Sequence, residues 1–423
     1  MKLGILVISS YFPPVPGVGG RRWAKFVKYL SRLDEVNVHV VSAKNTVKQV
    51  KSSFQTDLIS ANFKHTTLPS NYPYYLELLE FSKANLWRKI MFRYQFFFLK
   101  KKVAGNYWDF SVFWDRHFKE TIPAIIIQDK ISKVVVSGPP YRYIKYAVEL
   151  KKRFPELEII LDYRDPWNNF NEPPPIGQDR INYERNLEKE MLQSVDKIIT
   201  VSPFQKRLIQ QIQPQSAPIY VITNGFDPED YEFRERSPQL RKKVKFVHFG
   251  TLHVLKDYYW KPFFLAYLRL KNEKPDVYQN TEIQLVGYCP PQIEAFIQEH
   301  KLDIQIHGIL DPFDAYNILN DSDVALWFKY DKSEGDFATK FCDYIAVEKF
   351  MWTFSVKGEV TEYVEKHQIG KVFYRDDQNL EVSIFKAFLD AQEAENRLFN
   401  PQFDNSAHNI KDLSNQLLTV LKA

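Results

Sequence analysis

The stretch 333–350, SEGDFATKFCDYIAVEKF, carries the residues best spaced for chemistry. Thr339 is placed to cap a helix, its hydroxyl accepting from a backbone N–H of the first turn. Lys340 then falls in that first turn, where the helix dipole disfavours a cation. An anion sharing the position is expected, since free N–H groups and an ammonium together suit phosphate. Asp343 follows three residues later on the same helix face. A cation for phosphate and a carboxylate for hydroxyls, one turn apart, meet the needs of a ribose diphosphate. The plainer alternative is a surface Lys/Asp pair on an ordinary helix.

Three further groups lie where strands are expected to end. Gly17, Gly19 and Gly20 sit in SYFPPVPGVGGRR, between an apolar run at 3–9 and the helical pattern WAKFVKYLSRL. Strand, glycine loop, helix is the order in which α/β folds turn backbone amides toward anions. The loop is not GxGxxG, and a tight turn without a ligand is the alternative. Arg164, Asp165 and Trp167, in YRDPWNN, come just past an expected strand at 158–162. Open α/β sheets bind ligands at such strand ends; an Arg/Asp pair bracing its own loop is the competing reading. Lys256 follows a strand at 244–249, within reach of a phosphate or simply solvated.

The elements that must position these residues alternate along the chain. Apolar runs at 3–9, 36–42, 133–137 and 158–162, with VDKIITVS and the strand before NGFD, read as buried parallel strands. Helical patterns, among them 143–154 and 183–192, separate them. The segment 229–243 is charged and without apolar period, so it is expected to link two domains. Beyond it the alternation restarts, with strands at 244–249, 282–286 ending at Gly287, 304–306 ending at His307 and Gly308, 323–328 and 352–356. After Arg375 the chain reads as helical, closing in the amphipathic NIKDLSNQLLTVLKA.

A chain of 423 residues exceeds one ordinary core, so two domains are expected. Its net charge of +5, from 57 basic and 52 acidic groups, is mild and argues against a dedicated nucleic-acid binder. Cys289 and Cys342 form no CxxC, which fits a thiol-reducing cytoplasm. The nine histidines show no metal-ligand spacing, so no metal is expected. The opening MKLGILVISSYFPP ends its apolar run too early for a secretory signal. No apolar stretch reaches the roughly 18 residues a membrane span requires. One region departs from the rest. Between Lys83 and Lys102 stand seven basic residues (Lys83, Arg88, Lys89, Arg93, Lys100, Lys101, Lys102) and no acidic one, interleaved with aromatics. It reads either as a helical surface for anionic lipid headgroups or as an insertion whose lysines are merely solvated.

In order along the chain, the PP-x-x-G-x-GG loop with RRWAKFVKYL, SGPP, DYRDPW, TVS, NGFD, FGTL with Lys256, HGIL and TKFCDYIA resemble a glycosyltransferase of family 4 with the GT-B architecture. The resemblance covers nearly the whole chain. It implies an α/β fold of two Rossmann-like domains facing across a cleft. The amino-terminal domain (1–228, with an aromatic and basic helical insertion at about 72–118) would take the acceptor. A linker at 229–243 would lead to a carboxyl-terminal domain (244–401) for the nucleotide-sugar donor. The helix at 402–423 would cross back to the first domain. It further implies retention of anomeric configuration with no metal or other cofactor, so lysines and a helix end must stabilise the departing nucleoside diphosphate.

Carried over by position, Lys256 matches the family's lysine, and Asp343 matches the second carboxylate of its E-x7-E pattern, which holds the donor ribose. Strict spacing places the first carboxylate at Gly335, with Glu334 one residue before it. Thr251, after Gly250, stands where the family often has arginine, and Glu348-Lys349-Phe350 replaces its Gly-x-Pro. The expected site therefore has Asp165 and Glu334 as catalytic carboxylates. Its donor contacts are Gly19, Gly20, Gly250, Thr251, Lys256, Gly308, Lys340 and Asp343, and Arg22 and Arg164 line the acceptor side. The resemblance implies an acceptor that is a glycan or is lipid-linked, a role in bacterial surface polysaccharide assembly, and a cytoplasmic enzyme peripheral to the inner face of the membrane. Two other readings stay open: a sugar-nucleotide epimerase of the same architecture, and a non-catalytic nucleotide-sugar-binding protein.

Overall fold

A computed structural model of the chain describes residues 2–15, 18–44, 58–59, 61–73, 76, 85–168, 176–231, 243–252, 260–329 and 337–423. It divides into two compact units, residues 1–222 with 414–423, and residues 223–413. Thr223 thus already belongs to the second unit, ahead of the boundary expected at 228. The return to the first unit comes at 414 rather than 402. Pro228–Tyr231, which overlaps the start of the expected linker, forms a 3-10 turn within the second unit; 232–242 lie outside the described residues.

The first unit is built on a seven-stranded parallel sheet of order β3-β2-β1-β4-β5-β6-β7. In chain order its elements are β1 (Leu3–Ile8), α1 (Arg21–Leu30), β2 (Val36–Ala43), β3 (Lys64–Leu68), α2 (Leu86–Lys102), α3 (Asp115–Gln128), β4 (Lys133–Gly138), α4 (Arg142–Leu150), β5 (Glu158–Tyr163), α5 (Gln178–Ser194), β6 (Lys197–Thr200), α6 (Pro203–Ile212) and β7 (Ile219–Val221). The central strands LGILVI, KVVVSG and EIILDY are almost wholly buried, as expected of strands covered on both faces. Their core residues pack with Trp114, Phe118, Ile122 and Ile126 around α3 and with Ile144 and Ala147 of α4. A smaller core gathers Leu99 of α2, Val103, Tyr72 and Tyr107. Two carboxylates of α5 are also buried. Glu184 pairs with Arg142 and accepts from the Asn106 amide at 2.6 Å, and Glu188 accepts from Asn168 at 2.7 Å.

The second unit repeats the plan with six parallel strands ordered β10-β9-β8-β11-β12-β13. Its elements are β8 (Val244–Phe249), α7 (Trp260–Glu273), α8 (Pro275–Gln279), β9 (Thr281–Val286), α9 (Pro291–Glu299), β10 (Ile304–Gly308), α10 (Pro312–Asp321), β11 (Val324–Phe328), α11 (Thr339–Ala346), β12 (Phe350–Ser355), α12 (Glu359–His367), β13 (Gly370–Tyr374) and α13 (Leu380–Asp390). One face of this sheet packs Phe246, Trp352 and Phe354 against Phe263 and Phe388; the other packs Val247 and Trp327 against Phe341 and Ile345. The last helix is α14 (Ile410–Lys422). In both sheets the strand order reverses beside the first strand, between β1 and β4 and between β8 and β11. Such switch points leave a crevice at the carboxyl ends of the strands.

Candidate functional site

Of the residues expected to hold an anion in the second unit, Gly250 and Lys340 meet at its switch point. Gly250 ends β8 at φ +103°, a conformation that side chains with a Cβ rarely adopt, and its N–H donates to the Val286 carbonyl at 2.7 Å. Gly287, after β9, has φ +122° and donates to the Gly308 carbonyl at 2.7 Å. A Cβ on Gly287 would lie 2.4 Å from the Gly250 oxygen, so the two turns touch backbone to backbone. Gly308 closes β10, also at positive φ, with open space where a Cβ would stand. Thr251 is exposed.

Over Gly250 lies Lys340. A Cβ added to the glycine would come 3.4 Å from the lysine Nζ. The side chain is half-buried, and desolvation pulls its pKa down to about 8, opposed by Asp343. Helix α11, which carries both residues, is held to the switch point by Tyr344. Its hydroxyl accepts from the Phe249 N–H and donates to the Leu326 carbonyl, each at 3.1 Å. The expected cap is corrected. Ala338, extended at φ −63° and ψ 157°, occupies the N-cap, so Thr339 already has helical dihedrals and, among the described residues, no side chain caps the first turn.

Asp343 is buried, and its carboxylate accepts a hydrogen bond from the Tyr231 hydroxyl. Tyr231 packs against Tyr316 and Phe226, with ring centroids 4.8 and 6.2 Å apart. Sequence reasoning missed Tyr231, because it falls in the charged segment taken for a linker and shares no spacing with the helix it serves. Lys256 and Glu334 lie outside the described residues, as does Gly17.

The first unit gathers a different set. Arg164 is half-buried; its Nε donates to the Gly138 carbonyl at 2.8 Å and its Nη1 to the Gly19 carbonyl. It therefore ties the end of β4 to the glycine loop after β1. Asp165 is exposed, 3.7 Å from the Arg164 guanidinium, while its backbone carbonyl accepts from the Tyr141 hydroxyl. Half-buried Tyr11 lies against Gly19. Burial raises the Tyr11 pKa, Arg164 opposes that shift, and Asp109 and Asp165 add to it. Gly20 has a packing reason to be glycine, since a Cβ there would lie 2.1 Å from the Tyr11 carbonyl oxygen. Arg22, expected beside the acceptor, is buried instead. Its guanidinium pairs with Asp162 at 3.3 Å and donates to the Ile222 carbonyl at 2.9 Å. Asp162 also accepts from Trp23 at 2.7 Å and Ser137 at 2.8 Å, so this carboxylate ties α1 to β4 and β5.

Sucrose-phosphate synthase from Thermosynechococcus elongatus superposes with a TM-score of 0.65 at 12% identity, covering 100% of this chain and 98% of that one. The fold is GT-B. An E. coli structure described as trehalose-6-phosphate bound with UDP-2-fluoroglucose gives 0.60 at 13% identity, covering 99% of each chain. A protein described as a UDP-N-acetylglucosamine 2-epimerase from Listeria monocytogenes gives 0.57 at 12%, covering 100% and 96%. No family model matches the sequence, and no curated protein matches it either.

Proposed function

We propose that the chain is a nucleotide-sugar-dependent glycosyltransferase of the family 4 type, transferring a sugar with retention of configuration. The observation that carries this reading is the half-buried Lys340 over Gly250, beside an uncapped helix start and one turn from buried Asp343. A diphosphate beside that ammonium would face free backbone N–H groups, and a ribose would find a carboxylate whose orientation Tyr231 fixes. In this reading the charge developing on the departing nucleoside diphosphate is met by Lys340, Lys256 and the helix start, without a metal. In the same reading Asp165 and Glu334 serve as the catalytic carboxylates, Gly19 and Gly20 as further donor contacts, and Arg164 as an acceptor contact. The acceptor is a glycan or lipid-linked glycan of a bacterial surface polysaccharide, and the enzyme works at the inner face of the membrane.

Turnover of a panel of nucleotide sugars, with and without glycan acceptors, tests the proposal. At least one donor should be consumed, and Lys340→Ala should lower turnover by about a hundredfold or more, the scale of lost transition-state charge stabilisation. Unchanged turnover in that variant removes the lysine from the mechanism.

The likeness to the Listeria protein favours one second reading, epimerisation of the nucleotide sugar. Product analysis separates the two. A free nucleoside diphosphate marks transfer or hydrolysis, whereas an intact nucleotide carrying a new sugar stereochemistry marks epimerisation.

A further inference from the structure

We infer that helix α2 lies in the interfacial plane of an anionic bilayer, with an apolar stripe inserted below the headgroups. This inference rests on the membrane location proposed above and specifies how that location is reached. Electrostatic attraction alone would need only exposed lysines. The helix offers more.

At about 100° per residue, Leu86, Trp87, Ile90, Tyr94, Phe97 and Phe98 fall within an arc of about 120°. All six are exposed, Trp87 at 62%, Tyr94 at 58% and Phe97 at 52%. Arg93 and Lys100 flank one edge of this arc, Lys102 the other, Lys101 lies within it near the carboxyl end, and Arg88 is exposed outside it. No acidic residue occurs in the helix, and among the described residues none of these five cations pairs with a carboxylate. Lys100 and Lys101 sit instead over the rings of Phe96 and Phe97, each 4.3 Å from the centroid.

The opposite side of the helix is fixed to the first unit. Leu99 is buried, Phe92 and Phe96 pack into the smaller core, and Arg180 donates to the carbonyls of Lys100, Val103 and Gly105 at the carboxyl end. The outward stripe is therefore held in place by its own domain. A helix of 17 residues is about 25 Å long. Its cation-edged apolar arc, carrying Trp87 and Tyr94, is the pattern of a helix lying in a lipid interface rather than crossing it.

Charge selects the occupant. A second copy of this chain meeting the stripe through a two-fold axis would set one basic helix against another. Anionic headgroups complement both edges at once, each nearby cation adding to the attraction.

Flotation of the full chain with vesicles of phosphatidylcholine, alone or with phosphatidylglycerol, tests this. Capture is expected on the phosphatidylglycerol vesicles at about 0.15 M salt and should persist in part at about 0.5 M, where surface charges are largely screened. Trp87→Ser with Phe97→Ser should weaken partitioning about tenfold or more at unchanged thermal stability, since both side chains are exposed. Lys100→Glu, Lys101→Glu and Lys102→Glu together should abolish it. Three results would overturn the insertion: no capture, capture that the double serine variant leaves intact, or a dimer in solution that this variant dissociates while vesicles capture nothing. Donor turnover measured without vesicles fails or succeeds separately, so loss of the transferase reading is not confused with loss of this one.

Discussion

Desolvation holds the Lys340 ammonium down to about 8, so unliganded protein loses that charge within the accessible pH range. A diphosphate seated beside it would raise the value again, and binding above pH 8 would then take up a proton. The affinity for a nucleoside diphosphate should fall by up to about tenfold per pH unit above 8, and Lys340→Ala should flatten that slope. Calorimetric titration across pH 7 to 9.5 checks both; a flat wild-type profile would contradict them. The same depressed value has a consequence for stability. Between about 8 and the ordinary lysine range the unfolded chain holds more protons than the folded one, so this group's contribution becomes more favourable as pH rises. Arg22 makes the opposite kind of pair. Its ion pair with Asp162 is buried, so Asp162→Ala should cost about 3 kcal/mol or more in urea unfolding by stranding a buried guanidinium. The lysine and aspartate of α11 were legible because their spacing sets both on one helix face. The roles of Arg22 and Tyr231 were not, because each depends on a partner more than a hundred residues away.

Strands are where sequence patterning succeeded and failed most instructively. LGILVI, KVVVSG and EIILDY announce themselves as apolar runs because central parallel strands are buried on both faces. The edge strands β3, KHTTL, and β13, GKVFY, are partly solvated and carry no such run. Both were missed. The turns after β8 and β9 were legible as glycines at strand ends, but their backbone contact was not. Gly287→Ala should cost about 3 kcal/mol in urea unfolding, since it adds a clash with the Gly250 oxygen to the strain of a positive φ. Gly308→Ala meets open space and should cost only about 1 kcal/mol, the conformational part alone. Equal losses at the two positions would show that the close approach between the turns carries no weight.

At the scale of the molecule, a single plan is used twice: two parallel sheets with the same order around their first strands, each with its polar residues at the carboxyl end of the switch point. The repeated alternation of apolar runs and helical patterns made this duplication visible in the sequence. The exact division at 222 and 413 was not, because it depends on which contacts the intervening segments choose. The last residues belong to the first unit, where Leu417 and Leu421 are fully buried. Deleting 414–423 should therefore destabilise that unit by about 3 kcal/mol or more, read as a lowered melting temperature. In the proposed reading the second unit grips a nucleoside diphosphate between Lys340, the start of α11 and Asp343. A crystal structure of the chain grown with UDP tests this most directly. Diphosphate density beside the Lys340 ammonium, with the ribose hydroxyls on Asp343, is the expected result; nucleotide bound elsewhere, with Lys340 untouched, would contradict it.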